Sequence, residues 1–447
     1  MRAQNHPLIS KNPNHKKLYV TMKLFNTIKG RFNSMAQEKA LIRDPKKLNA
    51  FDLRWMASLF GTAVGAGILF LPIRAGGHGI WAIVVMSAII FPLTYLGHRA
   101  LAYFIGSKDR EDITMVVRSH FGAQWGFLIT LLYFLAIYPI CLAYGVGITN
   151  VFDHFFTNQL HLVPFHRGLL AVALVSLMML VMVFNATIVT RICNALVYPL
   201  CLILLLFSLY LIPYWQGANL FVVPSFKEFV LAIWLTLPVL VFSFNHSPII
   251  STFTQNVEKE YGAFKEYKLN QIELGTSLML LGFVMFFVFS CVMCLNADDF
   301  VKAREQNIPI LSYFANTLNN PLINYAGPVV AFLAIFSSFF GHYYGAKEGL
   351  EGIIIQSLKL KKASKTLNIS VTIFLWLTIT LVAYINPNIL DFIENLGGPI
   401  IALILFVMPT IAFYSVSSLK RFRNLKVDIF VFVFGSLTAL SVFLGLF

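Results

Sequence analysis

Long apolar runs recur from residue 55 to the end of the sequence. A bilayer core of roughly 30 Å is crossed by a helix of about 20 apolar residues, so each run predicts one membrane span. Only 12% of the residues are charged, which is about half the share typical of soluble domains. We therefore expect an all-α, polytopic membrane protein. The eleven predicted spans cover residues 55–73, 80–104, 123–150, 168–186, 192–212, 229–250, 272–295, 325–346, 368–385, 396–416 and 428–447.

The 34 Lys and Arg residues fall mostly in alternate connections between these spans. With the N-terminus in the cytoplasm, the inner segments hold 29 of them and the outer segments hold 5. Cytoplasmic loops of membrane proteins carry an excess of Lys and Arg. The N-terminus is therefore expected inside and the C-terminus outside. The net charge of +14 indicates topology rather than nucleic-acid binding.

The sequence before the first span is polar and basic. Residues 1–53 contain no apolar stretch like that of a signal peptide. We interpret them as a mobile cytoplasmic tail, followed by a membrane domain over residues 54–447. The inner connection at residues 251–270 mixes charges of both signs and predicts a short cytoplasmic helix.

Motifs of enzymes and metal sites are missing from the sequence. It has no G-x-x-x-x-G-K-[ST] loop for ATP, no H-E-x-x-H and no G-x-S-x-G. The five cysteines lie in apolar segments, and Cys291 and Cys294, although spaced C-x-x-C, lack a second pair. Few ionisable residues fall within the spans, and they suggest no acidic relay. We therefore predict neither an enzyme nor a cofactor.

Glycines interrupt the first span in the stretch FGTAVGAGILFLP. Gly61, Gly65 and Gly67 lie where a membrane helix must satisfy its own backbone, and glycine is a poor helix former. The G-x-x-x-G spacing of Gly61 and Gly65 also suits a helix-packing face. Two interpretations are open: a packing surface, or a break that exposes backbone groups.

A second interruption lies near the end of span 6, in FSFNHSPIIS. Asn245, His246 and Ser247 precede Pro248, and proline disfavours helix at the residue before it. Three polar side chains at membrane depth are costly unless they line a cavity. His246 either caps freed carbonyls, or contacts a ligand and handles protons. His342, in SSFFGHYYG, is interpreted as structural.

The two interruptions are at equivalent places if spans 1–5 and 6–10 are repeats, over residues 54–212 and 226–416, with an extra helix at 428–447. Broken helices at matching positions of two halves indicate the binding site of a secondary transporter, near the bilayer midplane. The N-termini of half-helices attract a carboxylate, and free carbonyls suit an ammonium group. A zwitterionic amino acid is the expected ligand.

The chain resembles the bacterial hydroxy and aromatic amino acid permeases, and within them the serine and threonine transporters. The similar segments are FGTAVGAGILFLPIRAG, HRAL, YFLAIYPI, FSFNHSPIIS, EQNIPILSYFAN, FFGHYYGAKEGLEG and NPNILDFIENLGGPIIALILFVMP. The resemblance covers residues 54–447. It implies eleven helices in an amino acid/polyamine/organocation-type fold like that of the leucine transporter, with an inverted 5+5 repeat. It also implies proton-coupled uptake across the bacterial inner membrane.

The resemblance further implies roles for residues at the two interruptions. The amides of Ala66 and Gly67 would meet the substrate carboxylate. Side chains on span 6 would approach the amino group and side chain of the substrate. The carbonyls of Gly61 and Val64 would face a coupling-cation site. The predicted substrate-binding residues are Thr62, Gly65, Ala66, Gly67, Ser243, Asn245, His246 and Ser247.

One departure from the family pattern concerns the coupling ion. Where the serine and threonine permeases have lysine-serine in span 8, this chain has Ser337 and Ser338. A lysine there could fill a sodium position. Two hydroxyls, together with the carbonyls of Ala334, Gly61 and Val64, would instead give an oxygen shell for sodium. Coupling to protons and coupling to sodium are both open.

The polar groups of the second interruption suit a small hydroxylated substrate, because a site built to bond a hydroxyl rejects analogues that lack it. We expect a preference for L-serine or L-threonine over alanine and tryptophan. The alternatives are an aromatic amino acid permease, a channel or a membrane sensor. The expected partners are the amino acid and the lipid bilayer, without nucleic acid or an obligate protein partner.

Overall fold

The first described helix begins just before the predicted domain boundary at residue 54. The computed structural model of the protein describes residues 46–182, 186–221, 223–318, 320–360 and 362–444. Regular structure in these ranges is entirely helical. Residues 50–447 form one compact unit. Most of the predicted tail, residues 1–45, lies outside the described residues.

The helices are labelled in chain order, and α14 contains two π-helical turns. Their bounds are α1 (Ala50–Ala63), α2 (Ala66–Ala75), α3 (Ile80–Ile105), α4 (Ile113–His154), α5 (Arg167–Val181), α6 (Ala186–Tyr210), α7 (Phe226–Ser243), α8 (Ile250–Tyr261), α9 (Lys265–Cys294), α10 (Ala297–Glu305), α11 (Ile310–Thr317), α12 (Pro321–Ser357), α13 (Lys365–Ile385), α14 (Ile389–Ser415) and α15 (Leu425–Leu444).

Every predicted span overlaps one of these helices. Within the described ranges, eight helical stretches are long and apolar enough to cross a membrane, and α1 with α2 adds a ninth if the bent pair is one span. One of the eight stretches, Phe226–Cys294, includes α7, α8 and α9, and α5 is short, at 15 residues. The chain is therefore a multi-pass membrane protein, and the exact number of eleven spans stays a prediction.

The first predicted interruption is a break between α1 and α2. Val64 and Gly65 separate the two helices, which are bent by 55° relative to each other. Gly61 lies within α1 and packs against α6, where a Cβ would be only 2.1 Å from Val197 Cγ2. Gly61 therefore serves helix packing and Gly65 lies at the break. The packing interpretation therefore holds for Gly61, and the helix-break interpretation holds for Gly65.

The second interruption separates α7 from α8. Helix α7 ends at Ser243, residues 244–246 leave the helix, and a 3₁₀ turn over Ser247–Ile249 leads into α8. Pro248 occupies this first turn, where a missing N–H costs no helical hydrogen bond. The predicted break in span 6 is therefore confirmed.

The short helix predicted in the connection at residues 251–270 is α8, and its cytoplasmic location stays a prediction. Helix α8 ends at Tyr261, because Gly262 adopts a φ of 52°, a conformation open to glycine but rare for other residues. After one 3₁₀ turn, α9 begins at Lys265 and continues into the seventh predicted span.

Helix α12 contacts both breaks through two glycines spaced four residues apart. A Cβ on Gly341 would lie 2.6 Å from the side chain of Thr62, and a Cβ on Gly345 would lie 2.8 Å from Pro248 Cβ. Small residues at this spacing let helices in membranes approach closely. Helix α4 packs along α12 as well, so these two helices position the broken segments.

A buried ion pair anchors the start of α1 to α9. Lys268 Nζ lies 2.7 Å from Asp52 Oδ2, and both side chains are 0% exposed. The hydroxyl of Tyr261 donates to the other carboxylate oxygen of Asp52, and Gln271 also accepts from Lys268. These contacts tie the beginning of the first span to the connection between α8 and α9.

We expect Asp52→Leu to destabilise the protein by about 3–5 kcal/mol, because Lys268 then loses its counter-charge in a buried site. Asp52→Leu combined with Lys268→Met removes both charges and should recover most of the loss. Thermal unfolding of the detergent-solubilised variants measures the difference. A single variant as stable as the wild type would contradict a stabilising role for this pair.

Candidate functional site

The two breaks touch one another. Helix α2 packs against α7. A Cβ on Gly67 would lie 2.5 Å from the ring of Phe242 and 2.9 Å from Ser243 Cα, so a larger residue could not approach in this way. The structure therefore brings together the two segments that the sequence singled out separately.

Two hydroxyl groups from other helices close around the first break. The hydroxyl oxygens of Tyr144, in α4, and Ser338, in α12, lie 2.7 Å apart. Ser338 donates its only hydrogen to the carbonyl of Thr62, so Tyr144 is the donor to Ser338. A Cβ on Gly65 would lie 2.5 Å from the Tyr144 hydroxyl. Glycine thus exposes the backbone of the break directly to this hydroxyl.

His342 supports α12 beside the first break. Its Nδ1 lies 2.9 Å from the carbonyl oxygen of Ser338, and its ring meets the ring of Tyr144 edge-on, with centroids 5.3 Å apart. Both contacts fit the structural interpretation of this histidine.

The residues predicted for the coupling ion are only partly drawn together. Ser338 reaches the first break, whereas the hydroxyl of Ser337 donates to the carbonyl of Ala334 in its own helix at 3.2 Å. Val64 donates its backbone N–H to Phe60 at 2.9 Å, and Gly61 faces α6 through its Cα. A role for these residues in sodium binding stays a prediction.

Polar groups of the second break bond mainly within it. Ser243 Oγ donates to the carbonyl of Val239 at 2.7 Å, and Asn245 Oδ1 accepts from the Ser247 N–H at 3.1 Å. The Asn245 amide nitrogen Nδ2 is buried and makes no hydrogen bond to the described residues. A buried donor without a partner costs about 1–3 kcal/mol, so this amide indicates where a ligand acceptor would bind.

His246 lies between ionisable side chains of two other helices. Its Nε2 is 2.8 Å from Oε2 of Glu273 in α9. Its backbone N–H donates to Nε2 of His98 in α3 at 3.1 Å. The two imidazole rings stack with centroids 3.5 Å apart. All three side chains are buried, and together they form what we call the His98–His246–Glu273 cluster.

Sequence reasoning singled out His246 but missed its two partners. His98 is 148 residues away in the chain and Glu273 is 27 residues away. The signal that could have found them is the position of each within a predicted span, where an ionisable residue is costly and usually functional. The cluster holds a single carboxylate, so it is no acidic relay, but its assembly from three separate segments was not predicted.

A cavity of about 880 Å³ lies beside the C-terminal half of α12. Its charged lining includes Asp112, which caps α4, and Lys347, Glu348 and Glu351 on α12. Thr252 of α8 also contributes. The cavity is therefore bordered by α4, α8 and α12, the helices that surround the second break.

Ion pairs connect the elements around the far end of α2. Arg74 Nε lies 3.3 Å from a carboxylate oxygen of Glu394. Arg304 lies 3.1 Å from the same carboxylate and 2.9 Å from Asp391. Burial works to lower the pKa of Arg304, but Glu394 and Asp391 raise this pKa above its ordinary value. The guanidinium therefore stays charged and links α10 to α14.

The sequence profile of the tryptophan/tyrosine permease family matches residues 55–446. The chain belongs to this family. The permease is 44% identical over 407 residues to the serine transporter SdaC of Escherichia coli (strain K12), covering 89% of the permease and 95% of SdaC. It is 41% identical over 418 residues to the threonine/serine transporter TdcC of Yersinia enterocolitica, covering 88% and 95% of the two chains.

Among solved structures, the permease is similar to the crystal structure of MhsT in complex with L-phenylalanine. The TM-score is 0.57 at 13% identity, over 88% of the permease and 97% of MhsT. At this identity the likeness shows the fold alone, which is that of the leucine transporter. The predicted family and fold class are confirmed. The relatives are named as transporters, in agreement with an amino acid transporter rather than an enzyme.

We expect Gly65→Ala to lower amino acid uptake by about tenfold or more, because an added methyl group would overpack the contact with Tyr144 and Ser338. Gly282→Ala in α9 is the matched control, since a Cβ there meets nothing within 4 Å. Uptake is normalised to the amount of protein in the membrane. Equal activity of the two variants would contradict a tight contact at the first break.

Proposed function

We propose that the permease imports L-serine, and L-threonine as a second substrate, by symport with protons across the inner membrane of a bacterium. Two relatives that cover most of the chain are named as serine and threonine/serine transporters, which supports this substrate class. The observation that carries the proposal is the uncapped start of α2 in contact with the second break, where Nδ2 of Asn245 makes no hydrogen bond to the described residues.

The substrate carboxylate would bind at the start of α2. Gly65 precedes this helix and no side chain caps it, so the N–H groups of Ala66 and Gly67 lack intrahelical acceptors. The aligned peptide dipoles give a helix N-terminus a partial positive charge, which attracts anions. The hydroxyl of Tyr144, which faces the Cα of Gly65, would lie beside the same carboxylate.

The ammonium group and the hydroxyl of the substrate would bind at the second break. At the end of α7, the carbonyls of Leu240 and Phe242 accept from the N–H groups of Phe244 and Asn245. Each carbonyl oxygen has a second lone pair, which suits an ammonium group. The Asn245 amide is a donor for the substrate hydroxyl. Because a site that bonds a hydroxyl rejects analogues lacking one, alanine should compete poorly with serine.

The charge distribution supports an N-terminus in the cytoplasm and a C-terminus outside. In this orientation the 880 Å³ cavity faces the cytoplasm, and the Arg304 ion pairs lie on the outer side. A cavity open to the cytoplasm, with ion pairs that join helices on the outer side, is the arrangement expected of an inward-facing state. Alternating access then moves the two halves around a fixed site.

Hydrogen bonds of the two serines favour protons over sodium. Ser338 donates to the carbonyl of Thr62 and Ser337 donates to the carbonyl of Ala334, so carbonyl oxygens around the proposed sodium position already accept hydrogen bonds. The His98–His246–Glu273 cluster offers a place for a proton instead. Sodium coupling is the competing hypothesis.

Uptake of labelled L-serine into proteoliposomes that contain the purified permease tests this function. A pH gradient, alkaline inside, should accumulate serine, and a sodium gradient at equal pH should not. Excess threonine should compete and excess tryptophan should not. Accumulation driven only by sodium would overturn proton coupling. Equal competition by tryptophan would instead support an aromatic amino acid permease.

We expect Asn245→Ala to reduce serine uptake at low serine concentration by about two- to tenfold, because the proposed hydrogen bond to the neutral substrate hydroxyl contributes about 0.5–1.5 kcal/mol. Asn256→Ala is the matched control. Asn256 is half-buried on α8 and donates to the carbonyl of Thr252. An Asn245→Ala variant that is folded and as active as the control would remove Asn245 from the site.

A further inference from the structure

The His98–His246–Glu273 cluster joins three elements of the fold at the second break. His98 comes from α3 and Glu273 from α9, and His246 lies in the break itself. Within the described ranges, these are the titratable groups that the packed helices present to His246. The side chains of His246 and Glu273 are each 0% exposed. A proton on this cluster is therefore held by its own members rather than by solvent.

The hydrogen bonds of His98 determine where its proton lies. Its Nδ1 is 2.9 Å from the carbonyl oxygen of Thr94, and a carbonyl cannot donate, so Nδ1 carries a hydrogen. Its Nε2 accepts from the backbone N–H of His246, so Nε2 carries none. His98 is therefore a neutral imidazole whose lone pair holds the backbone of the break.

The same reasoning leaves one proton between His246 and Glu273. Nδ1 of His246 lies 3.2 Å from the carbonyl oxygen of Phe244, so this nitrogen carries a hydrogen. The 2.8 Å contact between Nε2 and Glu273 Oε2 then needs a second proton, either on the carboxyl group or on the imidazole. Oε1 of Glu273 is buried and makes no hydrogen bond to the described residues, which favours the neutral carboxylic acid over a buried carboxylate.

Loss of this proton would disturb the backbone of the break. With it gone, Oε2 of Glu273 faces the lone pair of His246 Nε2. If the remaining hydrogen moves from Nδ1 to Nε2, then Nδ1 faces the carbonyl of Phe244 instead. Either way one buried hydrogen bond of the pair is lost, and an unpaired buried group costs about 1–3 kcal/mol. Asn245, the proposed substrate ligand, lies between Phe244 and His246 in the chain. The proton and the substrate therefore act on the same stretch of backbone.

We propose that the coupling proton is the one shared by Nε2 of His246 and Oε2 of Glu273, and that its binding and release are linked to the conformation of the break between α7 and α8. This inference rests on the proposed proton symport. The proton enters as H⁺ from the outer side and converts the Glu273 carboxylate to the acid, which donates to the neutral His246. Its release to the inner side restores the carboxylate.

Glu273→Gln tests the assignment, because the glutamine amide can donate to His246 Nε2 without releasing a proton. In proteoliposomes, exchange of labelled for unlabelled serine at equal pH should persist. Accumulation under a pH gradient should be lost. For one proton per serine, a gradient of one pH unit corresponds to about tenfold accumulation in the wild type, against none in the variant. Serine-driven proton entry should also be lost.

Glu266→Gln is the matched control. Glu266 is a carboxylate of the same length on α9 that accepts from Arg421, and its side chain is 37% exposed. This variant should keep pH-driven accumulation. Retention of pH-driven accumulation in Glu273→Gln would overturn the inference. If serine accumulation by the wild type does not depend on the pH gradient, the proposed symport is overturned, whatever the variants show.

If Glu273→Gln is not monodisperse after purification, Glu273→Asp provides the second test. Aspartate keeps the acid but lengthens its contact with His246 Nε2. We expect uptake to remain driven by the pH gradient, with a pH profile displaced from that of the wild type. A folded Glu273→Asp variant with an unchanged pH profile would overturn the inference.

Discussion

A bilayer core offers no water to an unpaired backbone group, and this constraint governs how both breaks are built. At the first break, the carbonyl of Thr62 accepts from Ser338. At the second, the carbonyl of Phe244 accepts from the ring of His246, whose own N–H donates to His98. These carbonyl and N–H groups at the breaks are satisfied by side chains. The stability of the breaks therefore depends on hydrogen bonds from those side chains.

A side chain differs from a backbone amide in that it can rotate, change its protonation or be displaced by a ligand. Hydroxyl and imidazole groups can act both as donors and as acceptors, whereas the amide pairs of an intact helix have fixed roles. The first break depends on a serine hydroxyl and the second on two histidines. Substrate and protons can therefore change the backbone at these two places and leave the intact helices as a rigid frame.

Local sequence predicted the breaks because their causes are local. Gly65 and Pro248 restrict or relax the backbone wherever they occur, and apolar runs of sufficient length predict membrane helices in any context. The partners of the breaks were not predictable in the same way. Tyr144 lies in a helix that is apolar on all sides, so no periodicity tells which face meets Gly65.

The face of α9 that carries Glu273 did leave a trace in the sequence. Glu273, Thr276 and Ser277 follow a helical spacing and are all buried, whereas a membrane helix turns apolar residues to lipid. Such a polar stripe identifies the face directed into the protein. It does not identify the residue it meets, because the pairing of α9 with His246 depends on how three separate helices pack.

Ion pairs at the two ends of the α1–α2 span differ in exposure. Asp52 and Lys268 are fully buried. At the α2 end, the side chains of Arg74 and Glu394 are 17% and 15% exposed, and the neighbouring pair of Arg304 and Asp391 is 34% and 55% exposed. Dissolved salt screens exposed charges beyond about 10 Å at 0.1 M and acts much less on buried pairs. Ionic strength should therefore loosen one end of the permease and leave the other tied.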